Sequence, residues 1–102
     1  MFTPSSVDDY TIMAKKTLTA ARTFEGAQPT LVESSMWYTV KSVVSNMLNE
    51  VIKGISAGES VTAAYVATRS WMVEEAAQSA DALTIDAIAL FESFNPEPVT
   101  AN

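Results

Sequence analysis

Cysteine and histidine are both absent from this chain of 102 residues. Without cysteine there is no disulfide framework and no thiolate nucleophile. Without histidine the chain lacks the usual general base near neutral pH and the commonest metal ligand. Positive charge is scarce as well, with six Lys and Arg against twelve Asp and Glu. No apolar run approaches the ~20 residues that a membrane span needs. Asp8 and Asp9 interrupt the start of the chain before an apolar run like that of a signal peptide develops. A cytoplasmic protein, with neither cofactor nor metal, is the expectation.

What is present is apolar and periodic. A hydrophobic share of 48% is that of a folded chain, and the length suits one domain. The longest periodic stretch is Leu31 to Ile55. Its Met36, Trp37, Val40, Val43, Val44, Met47, Leu48, Val51, Ile52 and Ile55 recur at three- and four-residue spacing. At the helical angle they sweep an arc of roughly 200°, so this helix should touch several neighbours. Its opposite face, Ser42, Ser45, Asn46 and Asn49, is polar and nearly uncharged.

The remaining elements fall around it. Residues 1–5 read as a short arm. Ser6 and Asp9 have the spacing of a capping box that opens a first helix, which stops near Gly26. Val7, Tyr10, Ala14, Leu18, Ala21 and Phe24 form its core stripe, and Ile12 falls outside that stripe as a contact residue. Gln28-Pro29-Thr30 is a turn, and Thr30 with Glu33 gives a second capping box. Gly54 and Gly58 mark the end of the long helix.

A third helix starts at Ser60 and carries apolar residues on two sides. Val61, Ala64, Tyr65, Thr68, Trp71, Met72, Ser79 and Leu83 form the core side, with Glu75 in line; Val66, Val73, Ala77 and Ala80 form the other. Asp81 to Thr84 reads as a break with Thr84 as cap of a fourth helix to Phe94; the rival is one continuous helix from Ser60 to Phe94. Asn95-Pro96-Glu97-Pro98 ends the helix, and 95–102 is an extended tail. The fold class expected is all-α: a small antiparallel, up-and-down four-helix bundle over residues 6–94, or three helices if the last two are continuous.

The motifs are few. Gly54-Ile55-Ser56-Ala57-Gly58 matches the nucleophile elbow, but that chemistry needs a strand before it and a histidine beside it. It reads as a helix end. Residues 1–53 are neutral overall, so the net charge of −6 sits in residues 54–102. That excludes a duplex-binding surface, which needs clustered Lys and Arg. It leaves an acidic face of Glu74, Asp81, Asp86 and Glu92, and a candidate buried ion pair of Lys41 with Glu75.

Helix three has more apolar surface than a four-helix domain can cover. This leads to a non-enzymatic structural or assembly protein that self-associates or packs on a larger particle, such as a virion. Val66, Val73, Ala77, Ile12, Pro96 and Val99 would form its interface. The alternative is a small acidic protein that blocks a basic, nucleic-acid-binding target.

Overall fold

The structure, a computed structural model, describes residues 1–25 and 31–98, with side chains for 1–22 and 36–98. Phe24, the turn at 28–30, the Thr30–Glu33 capping box and Val99 therefore lie outside the described side chains. The described residues form a bundle of four helices: α1 (Val7–Glu25), α2 (Leu31–Ser56), α3 (Val61–Gln78) and α4 (Ala82–Glu92). α2 packs against each of the other three. That is what its wide apolar arc requires.

Several helix boundaries have a local cause among the described residues. At the start of α1 the Ser6 hydroxyl accepts the Asp9 amide at 3.0 Å. The return bonds come from Ser5, whose amide and hydroxyl both donate to Asp9 Oδ2. Those bonds hold the Asp9 carboxyl below the usual range. α2 ends in a turn where Gly58 takes φ +95° and the Glu59 amide reaches back to the Gly54 carbonyl. Ser60 caps α3 by accepting the Ala63 amide.

α3 and α4 are separate helices. Ala80 adopts φ +56° and the Asp81 amide donates to the Ala76 carbonyl, a left-handed closure made here without glycine. Asp81, rather than Thr84, is the cap of α4, and it accepts both the Thr84 amide and the Thr84 hydroxyl. Aspartate is the stronger cap because its carboxylate can take both donors at once.

The core is built around Tyr10, Tyr65 and Phe91, whose ring centres lie 4.9–6.4 Å apart. Val40, Met47, Val51, Met13 and Ile88 close around them. The α1 stripe holds at Tyr10, Ala14 and Ala21 and differs at its edges: Met13 and Thr17 are also buried and Val7 is exposed. Thr17 can sit in the interior because its hydroxyl donates to the Met13 carbonyl. Residues 1–5 dock on the fold, with Pro4 buried, the Phe2 amide on the Glu92 carbonyl and the Pro4 carbonyl accepting from Thr62. Lys16 ties the chain after α4 back to α1 by donating to Asn95 and to the Glu97 carbonyl.

α2 and α3 approach closely at Gly54. A Cβ there would lie 2.6 Å from Ala64 Cβ, an atom fixed to the α3 backbone. Gly54→Ala should therefore lower stability by about 1–2 kcal/mol, although alanine is the better helix former. Adding Ala64→Gly should recover most of that loss in a urea melt. Equal melts for Gly54→Ala and the wild type would show that the helices separate freely.

Candidate functional site

At Gly54 α2 and α3 lie close together. Only small side chains fit between the two helices, and Ala64 and Thr68 are buried there. Trp71, expected in the core, is instead 53% exposed. Glu75, on the same flank, is exposed too, while Ala76 takes the interior position. The buried arc of α3 is thus centred on Tyr65, Met72 and Ala76, leaving apolar residues on both flanks.

On the α2 flank, Trp71 stands between two open depressions along the α2–α3 seam. The larger, about 960 Å³, runs from Trp71 past Ile52, Met72 and Glu75 to Asp81 and Thr84. The smaller, about 360 Å³, is bounded by Glu50, Lys53, Gly54 and Glu59. Ile52 is 47% exposed. The seam therefore has an apolar centre between carboxylates. Glu50, Glu59, Glu75 and Asp81 line it with a single cation, Lys53, which already pairs with Glu50 at 3.1 Å.

On the α4 flank, Val66 is exposed and Val73 is half-buried against the core. Val73, Ile85, Ala89 and Met1 border an open cleft of about 360 Å³. Ala77 is exposed. Ile12 and Pro96 are half-buried.

Glu92 corrects the acidic face. Its side chain is 4% exposed and receives Arg69 Nε at 3.0 Å and the Tyr65 hydroxyl at 2.8 Å. Glu74, Asp81 and Asp86 remain exposed. The Asp81 carboxyl is held below its usual range by the hydrogen bonds from Thr84. Among the described residues no three Asp or Glu side chains gather as metal ligands.

The Lys41–Glu75 pair is a second correction, because both side chains are exposed and no ion pair joins them. Lys41 lies instead 5.5 Å from the centre of the Trp37 ring, and Arg22 lies 4.6 Å from it. Lys41 looked buried because its direction falls within the apolar arc. The aromatic face and the open edge of α2 let its ammonium stay in water.

Gly54-Ile55-Ser56-Ala57-Gly58 spans the last turn of α2 and the turn that follows. A helix precedes the serine, so the pentapeptide is a helix end. Among the described residues no helix is long and apolar enough to cross a membrane. Compared with protein-family models, curated proteins and solved structures, the chain matches none of them.

Proposed function

We propose that this chain is a non-enzymatic structural or assembly protein, which self-associates or packs on a larger particle such as a virion. Its contact face would be the outer flank of α3. The observation that carries this reading is Val66, 48% exposed, on the side of α3 that also carries the exposed Ala77 three turns on and Val73, which lines the open cleft with Ile85 and Ala89. Among the described residues no further helix covers Val66.

The up-and-down course belongs to the same proposal. Tyr10, early in α1, meets Val44, while Arg22, late in α1, meets Trp37, near the start of α2. Gly54 meets Ala64, and Arg69 meets Glu92. These pairings support successive helices of opposite direction.

Solution mass by light scattering over a dilution series, at low and high salt, tests the association. The expected result is an oligomer that survives high salt, as apolar contacts do. Val66→Glu should convert it to a monomer while changing stability by less than about 0.5 kcal/mol, because the side chain is exposed. Val73 is the poorer probe, since a charge there would also enter the core. A monomer at every concentration and salt would sink the reading. The second reading, a small acidic protein that blocks a basic target, retains Glu74, Asp81 and Asp86 and loses Glu92 to the interior.

A further inference from the structure

We infer that the α2–α3 seam is a docking site for a basic, amphipathic segment of another protein, held by Trp71 between carboxylates. This site lies on the α2 flank of α3, away from Val66, and does not rest on the self-association reading. A tryptophan with half its surface in water is an unusual residue to leave exposed. Here it has apolar neighbours, Ile52 and Met72, in an open groove of about 960 Å³.

Charge complementarity names the occupant. Around Trp71 the seam carries Glu50, Glu59, Glu75 and Asp81 against Lys53 alone. With the Glu50–Lys53 pair internally neutral, three carboxylates face the groove without a cation. An acidic segment would be repelled, and a purely apolar one would leave those carboxylates partly desolvated without compensation. A segment with Lys or Arg flanking one or two large apolar residues satisfies both demands. Its apolar residue would lie against Ile52 and Met72. A guanidinium or ammonium could stack on the open indole face while reaching Glu75, which is four residues along the same helix.

The test is a fluorescence-anisotropy titration of the full chain against three labelled peptides of roughly 15 residues, long enough for a few helical turns. One carries Leu and Lys/Arg in an amphipathic pattern. The second keeps the Leu positions and replaces each Lys/Arg by Glu. The third keeps the Lys/Arg and replaces each Leu by Ser. The first should bind, and should weaken about tenfold or more between low salt and about 0.5 M. The second should not bind, and the third should bind at least about tenfold more weakly than the first.

Variants locate the binding. Glu75→Lys and Trp71→Ser should each weaken the first peptide about tenfold. Glu74→Lys makes the same charge change outside the seam, and Val66→Glu lies on the other flank; both should bind almost as the wild type does. Circular dichroism melts check that the variants fold. Equal losses for Glu74→Lys and Glu75→Lys would mean diffuse attraction to an acidic protein and would overturn the proposal. So would equal binding of the acidic peptide. If Trp71→Ser, rather than Val66→Glu, abolishes a concentration-dependent oligomer, the seam is a contact between copies and the basic segment is not its occupant.

Discussion

Arg69→Ala is expected to destabilise the chain by about 2–4 kcal/mol, more than any substitution of Glu92 that keeps a hydrogen-bond acceptor. The asymmetry follows from where the two charges sit. The Glu92 side chain is 4% exposed and that of Arg69 is 35% exposed. Removing the guanidinium leaves a carboxylate enclosed in the bundle with the Tyr65 hydroxyl as its remaining donor. Water entering through the vacated space reduces that penalty, so the expected loss extends below the about 3–5 kcal/mol of fully buried pairs.

Glu92→Gln behaves differently. Its amide oxygen still accepts from Tyr65, and the Arg69 guanidinium can turn to solvent, so the loss should be about 1–2 kcal/mol. Urea midpoints for the two variants decide the matter. Equal losses, or a loss under about 1 kcal/mol for Arg69→Ala, would show that the pair is worth no more than a surface salt bridge. Replacing Arg69, Glu92 and Tyr65 together by Met, Leu and Phe removes the charges and the hydroxyl they satisfy. That triple variant should recover much of the loss, because no polar group is then left unpaired.

Glu92 also shows why part of the site escapes a reading of the sequence. It stands next to Phe91 near the end of a helix whose other acid, Asp86, is exposed. Helical angle alone puts it near the edge of the apolar arc. Its burial depends on Arg69 and Tyr65, 23 and 27 residues earlier and four apart on α3. The signal that could have found it is Arg69 itself, the one cation in residues 54–102. A lone Arg among seven acids must favour one of them, though spacing cannot say which.

The helices themselves were legible because their causes are local. The serine at position 6, the glycine at 58 and the Asp81–Thr84 break each act within a few residues. The α2 arc was legible because it is wide: a small rotation leaves Val40, Val43, Val44, Met47 and Val51 inside, and exposes only its edges at Ile52 and Ile55. α3 was not legible in the same way. Its apolar residues surround the helix, so periodicity gives no preferred face. The face it buries is set by its neighbours, among them Gly54 of α2, which meets Ala64 closely, and that is a property of two helices together.

The second large effect should appear on the alkaline side. Stability should fall above about pH 10 by about 1.4 kcal/mol per pH unit for each of two tyrosines, Tyr10 and Tyr65. Both rings are 1% exposed. Burial pushes the Tyr10 hydroxyl well above the usual tyrosine range. Burial first, and then the Glu92 carboxylate that accepts its hydrogen bond, pushes Tyr65 higher still. A hydroxyl that donates to a carboxylate cannot ionise without placing two negative charges side by side.

The sign follows from proton binding. Below the ordinary tyrosine pKa both states hold the protons, and the stability is fully present. Above it the unfolded chain releases protons that the folded chain keeps, so each further pH unit favours unfolding. Unfolding free energies from urea melts at several values between about pH 9 and 12 measure the slope. Tyr10→Phe should reduce that slope by about half, with a loss at neutral pH of about 1 kcal/mol from the bond to the Val44 carbonyl. Tyr65→Phe should halve it independently, and the double variant should remove the tyrosine part altogether. Titration of the lysines is common to all four proteins and cancels in the differences. An unchanged slope in the Phe variants would mean that water reaches the two hydroxyls, and that the aromatic centre of the bundle opens before the bundle unfolds.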